Sequence, residues 1–374
     1  MPSSTALVLG GGGARAAYQV GVLKAIVQFY PRNHGIPFRI VCGTSAGAIN
    51  GTSIATHASC FHLGVRKLEW VWRHFETSKV YTSSIPGVMK HLGRMTLKGL
   101  QHDKVNTDAG SLLDNEPLRR LLNELIDFGR IDRNIRSGAL TALSIDTSCY
   151  NNSRSVTFFQ ASRDIDNWYR ARRSGERTRL NTEHLLASAA IPMVFPSIKL
   201  KQNYYGDGSV HQLAPLASPI HLGAERILVI NLDSPHKQDT RELEHHPKTA
   251  TIAGHLLDTI FSDTLNSDLE RLERINNTLK LIPAESRDRL QLKPINTLVI
   301  KPSEDLTVLA ARYYREMPFA IRTLLGLIGI NEDSDSSIVS YLLFEKAYTS
   351  ALIDLGYQDA MCQIDEIRAF FNIT

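Results

Sequence analysis

Twice near its start the chain carries a short apolar run that ends in a glycine-rich turn and passes into residues with helical spacing. That repeat constrains the fold more than any other feature of the chain. Ala6 to Leu9 reads as a buried strand, Gly10 to Gly13 as a loop, and Ala14 to Phe29 as a helix in which Ala17, Val20, Leu23 and Val27 recur on one face. Phe38 to Cys42 is a second strand and Ala46 to His57 the helix that follows it. Strand and helix alternating in this order imply an α/β fold with a mainly parallel sheet covered by helices on both faces.

Downstream, the spacing predicts an amphipathic helix over Pro117 to Phe128, strands at Ala139 to Thr147 and Ser155 to Gln160, and a short helix over Thr182 to Ala190 that stops ahead of Pro192. Ile227 to Leu232 and Leu298 to Ile300 are further strands. Between Arg66 and Lys104, helix-like stretches carrying Trp70 and Trp72 give way to a Ser-, Pro- and Gly-rich passage, read as an excursion or lid near the site. After Ser234 a polar passage runs to His246. A long amphipathic helix then extends from about Ile252 to Leu281, marked by Ile260, Leu265, Leu269, Leu272, Ile275 and Leu279. Two units are expected, 5–232 and a mainly helical 233–374 that packs on the first or extends it.

Composition excludes several classes. The 374 residues are 43% hydrophobic and 21% charged, an ordinary globular balance, and a net charge of +4 is too small to argue for nucleic acid, though it suits an anionic lipid surface. Four scattered cysteines, Cys42, Cys60, Cys149 and Cys362, lack CxxC spacing, so neither a zinc site nor a disulfide framework is expected. His57 with His62, and His245 with His246, lack converging carboxylates, and no metal or other cofactor is expected. No signal-peptide pattern opens the sequence, and it has no run of about 18 uncharged apolar residues. A cytoplasmic protein is expected, meeting a membrane only peripherally.

The chemistry concentrates in three places. Gly43-Thr44-Ser45-Ala46-Gly47 lies between a strand and a helix of small residues, the context of a nucleophile elbow, with a helix N-terminus where an oxyanion would form. Upstream, Gly10 to Gly13 with Ala14-Arg15-Ala16 can converge backbone N–H groups on an anion. A dinucleotide loop is the competing reading, but Ala16 stands where the third glycine belongs, and the second strand ends in the serine turn instead of an acidic residue. A serine hydroxyl needs a base. His211, His221 and His255 are in plausible positions for a triad, while Asp207 stands alone among glycines in Tyr204-Tyr205-Gly206-Asp207-Gly208-Ser209, a setting that also suits a hairpin turn.

Taken jointly, Gly11-Gly12-Gly13-Ala14-Arg15, Gly43-Thr44-Ser45-Ala46-Gly47 and Asp207-Gly208 resemble the three signatures of the patatin-like phospholipase family, in that family's order. The stretch Leu185 to Pro196 resembles its usual lead-in to the aspartate. The likeness covers about residues 5 to 232. Ala16, in place of a frequent glycine, and Ser209, in place of Gly or Ala, depart from the pattern by small side chains. The resemblance implies a three-layer α/β/α catalytic domain with a helical C-terminal extension. It implies Ser45 as nucleophile, Asp207 as base, Gly11, Gly12 and Gly13 as oxyanion donors, Arg15 as a residue that orients the loop or meets a lipid phosphate, and Gly43, Gly47 and Gly208 as supports of the turns. The substrate implied is a phospholipid or other acyl lipid. A transacylase using the same serine, and a non-catalytic lipid-binding protein, are the alternatives.

Three surface readings complete the set. Ile191, Met193, Val194 and Phe195 are candidates to line an acyl channel. Arg163, Arg170, Arg172, Arg173, Arg177 and Arg179 are either a solvated face or a contact for anionic headgroups. Met317, Phe319, Ile321, Leu324, Leu325, Leu327 and Ile328 are either internal packing or a membrane-contact or homodimer surface.

Overall fold

The computed structural model describes residues 4–84, 86–87, 111–233, 249–283, 286, 292–327, 329–330 and 337–373. The strands are β1 (Thr5–Leu9), β2 (Ile40–Thr44), β3 (Ala142–Cys149), β4 (Arg154–Ala161), β5 (Trp168–Arg170), β6 (Arg173–Arg177), β7 (Ile198–Leu200), β8 (Asn203–Asp207), β9 (Arg226–Ile230) and β10 (Asn296–Ile300). The helices are α1 (Ala17–Val27), α2 (Ala46–Thr56), α3 (Phe61–Arg73), α4 (Glu116–Leu125), α5 (Gly129–Arg136), α6 (Thr182–Ser188), α7 (Ala217–His221), α8 (Thr249–Leu281), α9 (Leu306–Ala311), α10 (Phe319–Leu327), α11 (Ile338–Leu342), α12 (Lys346–Cys362) and α13 (Ile364–Phe371).

The strands form one mixed sheet in the order β10-β9-β1-β2-β3-β4-β6-β5, with β8 joined to β3 and to β7. From β10 to β3 every pairing is parallel. The central strands are apolar along most of their length because each face of the sheet is covered. Leu7 and Leu9 of β1 enter one core with α1, α2 and α12, while Ala6 and Val8 enter the other with Leu265 and Leu272 of α8. This is the α/β/α layering expected.

Several boundaries differ from the sequence reading. The first helix begins at Ala17 after a 3₁₀ turn over Gly13–Ala16. The second strand is shifted to Ile40–Thr44, with Phe38 buried instead as an aromatic contact of Phe61 and Phe371. Residues 61–73 form one amphipathic helix; the rest of the expected lid, from 88 onward, lies outside the described residues, as does the polar passage before His246. The β5–β6 hairpin went unforeseen because Trp168 to Arg170 and Arg173 to Arg177 are short and mostly polar at a sheet edge, whereas the strand-like run after Pro196 that leads to Asp207 is divided into the β7–β8 hairpin. In the C-terminal apolar group Met317, Ile321 and Leu325 are buried within the chain, whereas Phe319 and Leu327 of α10 face outward. Ile328 lies outside the described residues.

Helices α1 and α12, drawn from opposite ends of the sequence, cross with glycine on both sides of the contact. A Cβ on Gly21 would stand 2.0 Å from the Ile353 carbonyl oxygen, and one on Gly356 would stand 2.2 Å from that of Tyr18. Tyr18 also donates to Asp359 Oδ2 at 2.9 Å. Gly21→Ala is therefore expected to destabilise the chain by about 2 kcal/mol or more, since backbone and not side chain must yield; chemical denaturation against the wild type measures it.

Candidate active site

The site is built by a shared strand edge. Along one side of β3, Ala142 to Asp146 pair with β2, ending at Thr44↔Asp146; Thr147, Ser148 and Cys149 pair with β8, beginning at Thr147↔Asp207. Strands β2 and β8 therefore meet end to end, and Ser45, the residue after Thr44, is brought against Asp207. Gly208 allows the junction: a Cβ there would lie 2.3 Å from the Asp146 carbonyl oxygen.

Ser45 is the N-cap of α2, with φ 55° and ψ −130°, a conformation costly for any residue with a Cβ. It is 1% exposed. The turn is held by close backbone approach on both sides. A Cβ on Gly43 would strike Ala48 Cα at 2.5 Å, and one on Gly47 would strike the carbonyl oxygens of Leu9 and Gly10 at 2.3 and 2.5 Å. The second of these contacts presses the start of α2 onto the glycine loop. Ser45 N donates to Ser188 Oγ (2.8 Å), and the Ser188 hydroxyl donates to the Asp146 carbonyl (2.6 Å). The Leu185 to Pro196 stretch thus contributes a side chain that ties the elbow to β3.

Asp207 is fully buried at the end of β8, its N–H donating to the Ala190 carbonyl at 2.9 Å. Its Oδ1 accepts from Ser209 N at 3.0 Å, whereas Oδ2 has no hydrogen bond of ordinary geometry among the described residues. Burial pushes its pKa up to about 6, against the Ser45 side chain and the Ser209 amide and hydroxyl, which favour the charged form. A carboxylate near neutrality beside a strained serine can accept that serine's proton.

Two further side chains, Ser188 and Asp146, escaped the sequence reading. Asp146 is buried, and Thr157 Oγ1 (2.5 Å), Gln212 Nε2 (2.7 Å), Ser218 Oγ (3.0 Å) and Thr44 Oγ1 (3.4 Å) all donate to it. Burial holds its pKa above the usual carboxylate range, against the pull of these donors. It binds β2, β4, the segment after Asp207 and α7 into one frame. The only hint in the sequence is a lone acid inside a strand of small polar residues.

Among the glycines of the first loop, Gly13 (φ 55°) borders the cavity that reaches Ser45, and its Cα approaches Tyr341 of α11 so closely that a Cβ would meet that residue's carbonyl oxygen at 2.3 Å. Arg15 is buried and turned the other way. It donates to Ser340 Oγ (2.7 Å), Tyr341 Oη (3.1 Å) and Thr307 Oγ1 (3.1 Å), with its guanidinium 4.0 Å from the centre of the Tyr341 ring. It holds the loop from behind and does not border the cavity. Of the histidines, His221 stacks on Trp168, His211 is held below its usual pKa by burial and by Arg172, and His57 Nδ1 is engaged with Ser53 O and Thr56 Oγ1. The side chain of His255 lies outside the described residues.

A cavity of about 350 Å³ opens from Ser45. Ala46, Ile49, Ser53 and His57 border it along one stripe of α2, so it follows that helix for roughly 17 Å. Its other walls include Val71, Trp72 and Phe75 of α3 and nearby, Leu118 and Leu122 of α4, and Ile191 and Phe195. Met193 (76% exposed) and Val194 do not border it. The exposed side chains of Lys67 and Trp70 of α3 and of Glu124 and Leu125 of α4 also border it. No group of three or more His, Cys, Asp or Glu side chains suited to a metal occurs among the described residues, and no described helix is long and apolar enough to cross a membrane.

Fold and site together define an α/β protein with a serine on a strand-to-helix elbow. A sequence profile described as patatin-like phospholipase matches residues 7–220, more than half of the chain, and the protein belongs to that family. The rat patatin-like phospholipase domain-containing protein 7 is 43% identical over 68 residues, which are 18% of this chain and 5% of that protein. A lysophospholipase nte1 of Aspergillus terreus is 53% identical over 55 residues, 15% of this chain and 3% of the relative. The chain therefore aligns with only a small fraction of the length of these relatives. Among solved structures, VipD from Legionella pneumophila aligns over 98% of this chain and 67% of its own, with 12% identity and a TM-score of 0.35. The type III effector ExoU aligns over 98% and 53%, with 13% identity and a TM-score of 0.37.

The elbow carries a measurable cost. Ser45→Gly is expected to be more stable than Ser45→Ala by about 1 kcal/mol, because only glycine relieves the positive φ while losing part of the gain to chain entropy. Thermal melts of the two variants test this, and equal stability would mean an unstrained elbow.

Proposed function

We propose that the protein is a lipid acyl-ester hydrolase of the phospholipase A or lysophospholipase type, working through a Ser45–Asp207 dyad. The observation that carries the reading is an elongated apolar cavity ending on a strained serine whose neighbour is a buried carboxylate with one unpaired oxygen. The family and the lysophospholipase name of one relative support it.

In this reading the ester carbonyl lies at Ser45 with its acyl chain along α2. Asp207 Oδ2 takes the proton from Ser45 Oγ as the oxygen attacks. The amides of the Gly11 to Gly13 loop, near the N-terminus of α2, receive the oxyanion, and the loss of one such donor costs about 2.7–4 kcal/mol. Asp207 returns the proton to the leaving alkoxide. Water, deprotonated by the same carboxylate, then releases the acid from the acyl-serine. Arg15 keeps the loop in place through α11 without touching substrate. Water as the final acceptor separates this reading from acyl transfer to a lipid or glycerol, and product analysis with and without such an acceptor distinguishes them.

A screen of the purified protein on phospholipids, lysophospholipids and acylglycerols, beside Ser45→Ala, tests the proposal: turnover and fluorophosphonate labelling are expected in the wild type and absent from the variant. Asp207→Asn should lower turnover by about 10²-fold or more, on the order of general-base removal. Retained turnover in Asp207→Asn with loss in a histidine variant would overturn the dyad.

The raised pKa of Asp207 fixes the direction of two pH effects. Turnover should fall as pH drops through about 6, when the base takes up its proton. Because the folded carboxyl holds its proton more tightly than an unfolded one (3.8), burial of its charge weakens the fold above about pH 6, and that cost fades toward pH 4. Asp207→Asn should therefore be more stable than wild type at about pH 7–8 by roughly 1–3 kcal/mol, with the gain shrinking on acidification.

Filling the cavity should shorten the accepted chain. Ile49→Trp is expected to lower turnover of long-chain esters by roughly tenfold or more while short-chain esters are spared; chain-length profiles of both proteins are the measurement.

A further inference from the structure

We propose that three turns at the site end of the sheet form a docking surface for an anionic lipid bilayer. The inference rests on the reading of the substrate as a lipid.

Strand β3 runs past the end of β2 by Thr147, Ser148 and Cys149, roughly 10 Å of extended chain, and β4 and β8 accompany it. The turns after β3, β5 and β7 therefore stand beyond Ser45 at the same end of the sheet. They are joined side by side: Tyr150 N donates to the Tyr204 carbonyl (2.9 Å), Tyr204 N to Asn151 Oδ1 (2.8 Å), and Ser155 N to the Arg172 carbonyl (3.0 Å). Each turn has a non-glycine residue at positive φ, namely Ser153 (52°), Arg172 (58°) and Lys201 (55°). Tight geometry thus fixes which side chains point outward.

Those side chains carry one sign of charge. Arg154, Arg170, Arg172, Lys199 and Lys201 are exposed, and segments 148–156, 168–175 and 197–206 contain no Asp or Glu. None of the five forms a salt bridge among the described residues. Tyr150 and Tyr169, 42% and 63% exposed, stand among them. The arginine-rich stretch is in fact divided by β6. Arg177 is spent on the carbonyls of Ala161, Ser162 and Ile165 at the opposite end of the strand, and Arg179 faces Asp132. The acidic Asp164 and Asp166 are also at that opposite end, beyond the Ala142↔Ala161 pair. Cations with interleaved tyrosines and no acids match the headgroup layer of a bilayer containing anionic lipid.

Co-sedimentation with vesicles tests the surface apart from turnover, using Ser45→Ala protein so that lipid is not consumed. Binding to phosphatidylcholine vesicles containing phosphatidylserine is expected to be strong and to weaken with added salt, with little binding to phosphatidylcholine alone. Arg170→Glu/Arg172→Glu/Lys199→Glu/Lys201→Glu should lower binding by roughly tenfold or more. With Ser45 intact, the same four changes should leave hydrolysis of a short soluble ester and the melting temperature unchanged. Undiminished vesicle binding by the four-site variant would overturn the proposal, as would equal binding to neutral vesicles or a clear preference for soluble heparin over anionic vesicles. Charge-dependent vesicle binding by a wild type that hydrolyses no ester would support the docking surface and overturn the hydrolase reading.

Discussion

One edge of β3 is divided between two strands, and the site depends on that division. Hydrogen bonding along the edge must be continuous, so where β2 stops opposite Asp146 the ladder passes directly to β8. A sharp turn out of β2 then has nowhere to go except past the end of β8. The Ser188 hydroxyl locks this corner, accepting from Ser45 N and donating to the Asp146 carbonyl. Asp146 itself is compensated by four neutral donors and no cation among the described residues, which ties the frame together without adding a positive charge beside Asp207.

The contrast between the two buried aspartates is instructive. Both lie in low dielectric surroundings, where an ionised carboxylate is costly unless its lone pairs are filled. Asp146 has its oxygens filled by side chains from several directions. Asp207 has one oxygen bound to the Ser209 amide and the other without a conventional partner. The two aspartates differ here by the number of donors supplied, with residue type and burial held equal, and the proposed roles of scaffold for Asp146 and base for Asp207 follow that difference.

The opening strand and helix order, the Ser45 turn and the α/β/α layering could be read from the chain because each depends on local periodicity and on glycines forced by close backbone approach. Asp207 could be singled out as an acid among glycines and by the likeness of Asp207-Gly208 to a family signature, not by local periodicity; its place beside Ser45 needed the pairing of β8 with β3, a contact between distant segments that no local pattern encodes. Ser188 and Asp146 look ordinary in sequence, since a serine in a small-residue stretch and an acid in a polar strand acquire meaning only from their partners. Arg15 illustrates the converse. Its position in the glycine motif suggested a role toward substrate or loop, and its partners Ser340, Tyr341 and Thr307 lie in the C-terminal part of the chain, where sequence proximity gives no clue.

The packing of α1 and the glycine loop against α11 and α12 also has a consequence in time. Gly13, Arg15, Tyr18 and Gly21 leave the ribosome well ahead of Tyr341, Ile353 and Asp359, which they touch and which follow them by more than 300 positions in the sequence. At translation speeds of about 5–20 residues per second the wait is on the order of 15–70 s. Throughout that interval the loop lacks its backing and α1 lacks the surface that its glycine was shaped to meet. A nascent chain therefore carries the Ser45 turn long before the glycine loop beside it is backed, and completion of the candidate site is deferred to the return of the distant helices.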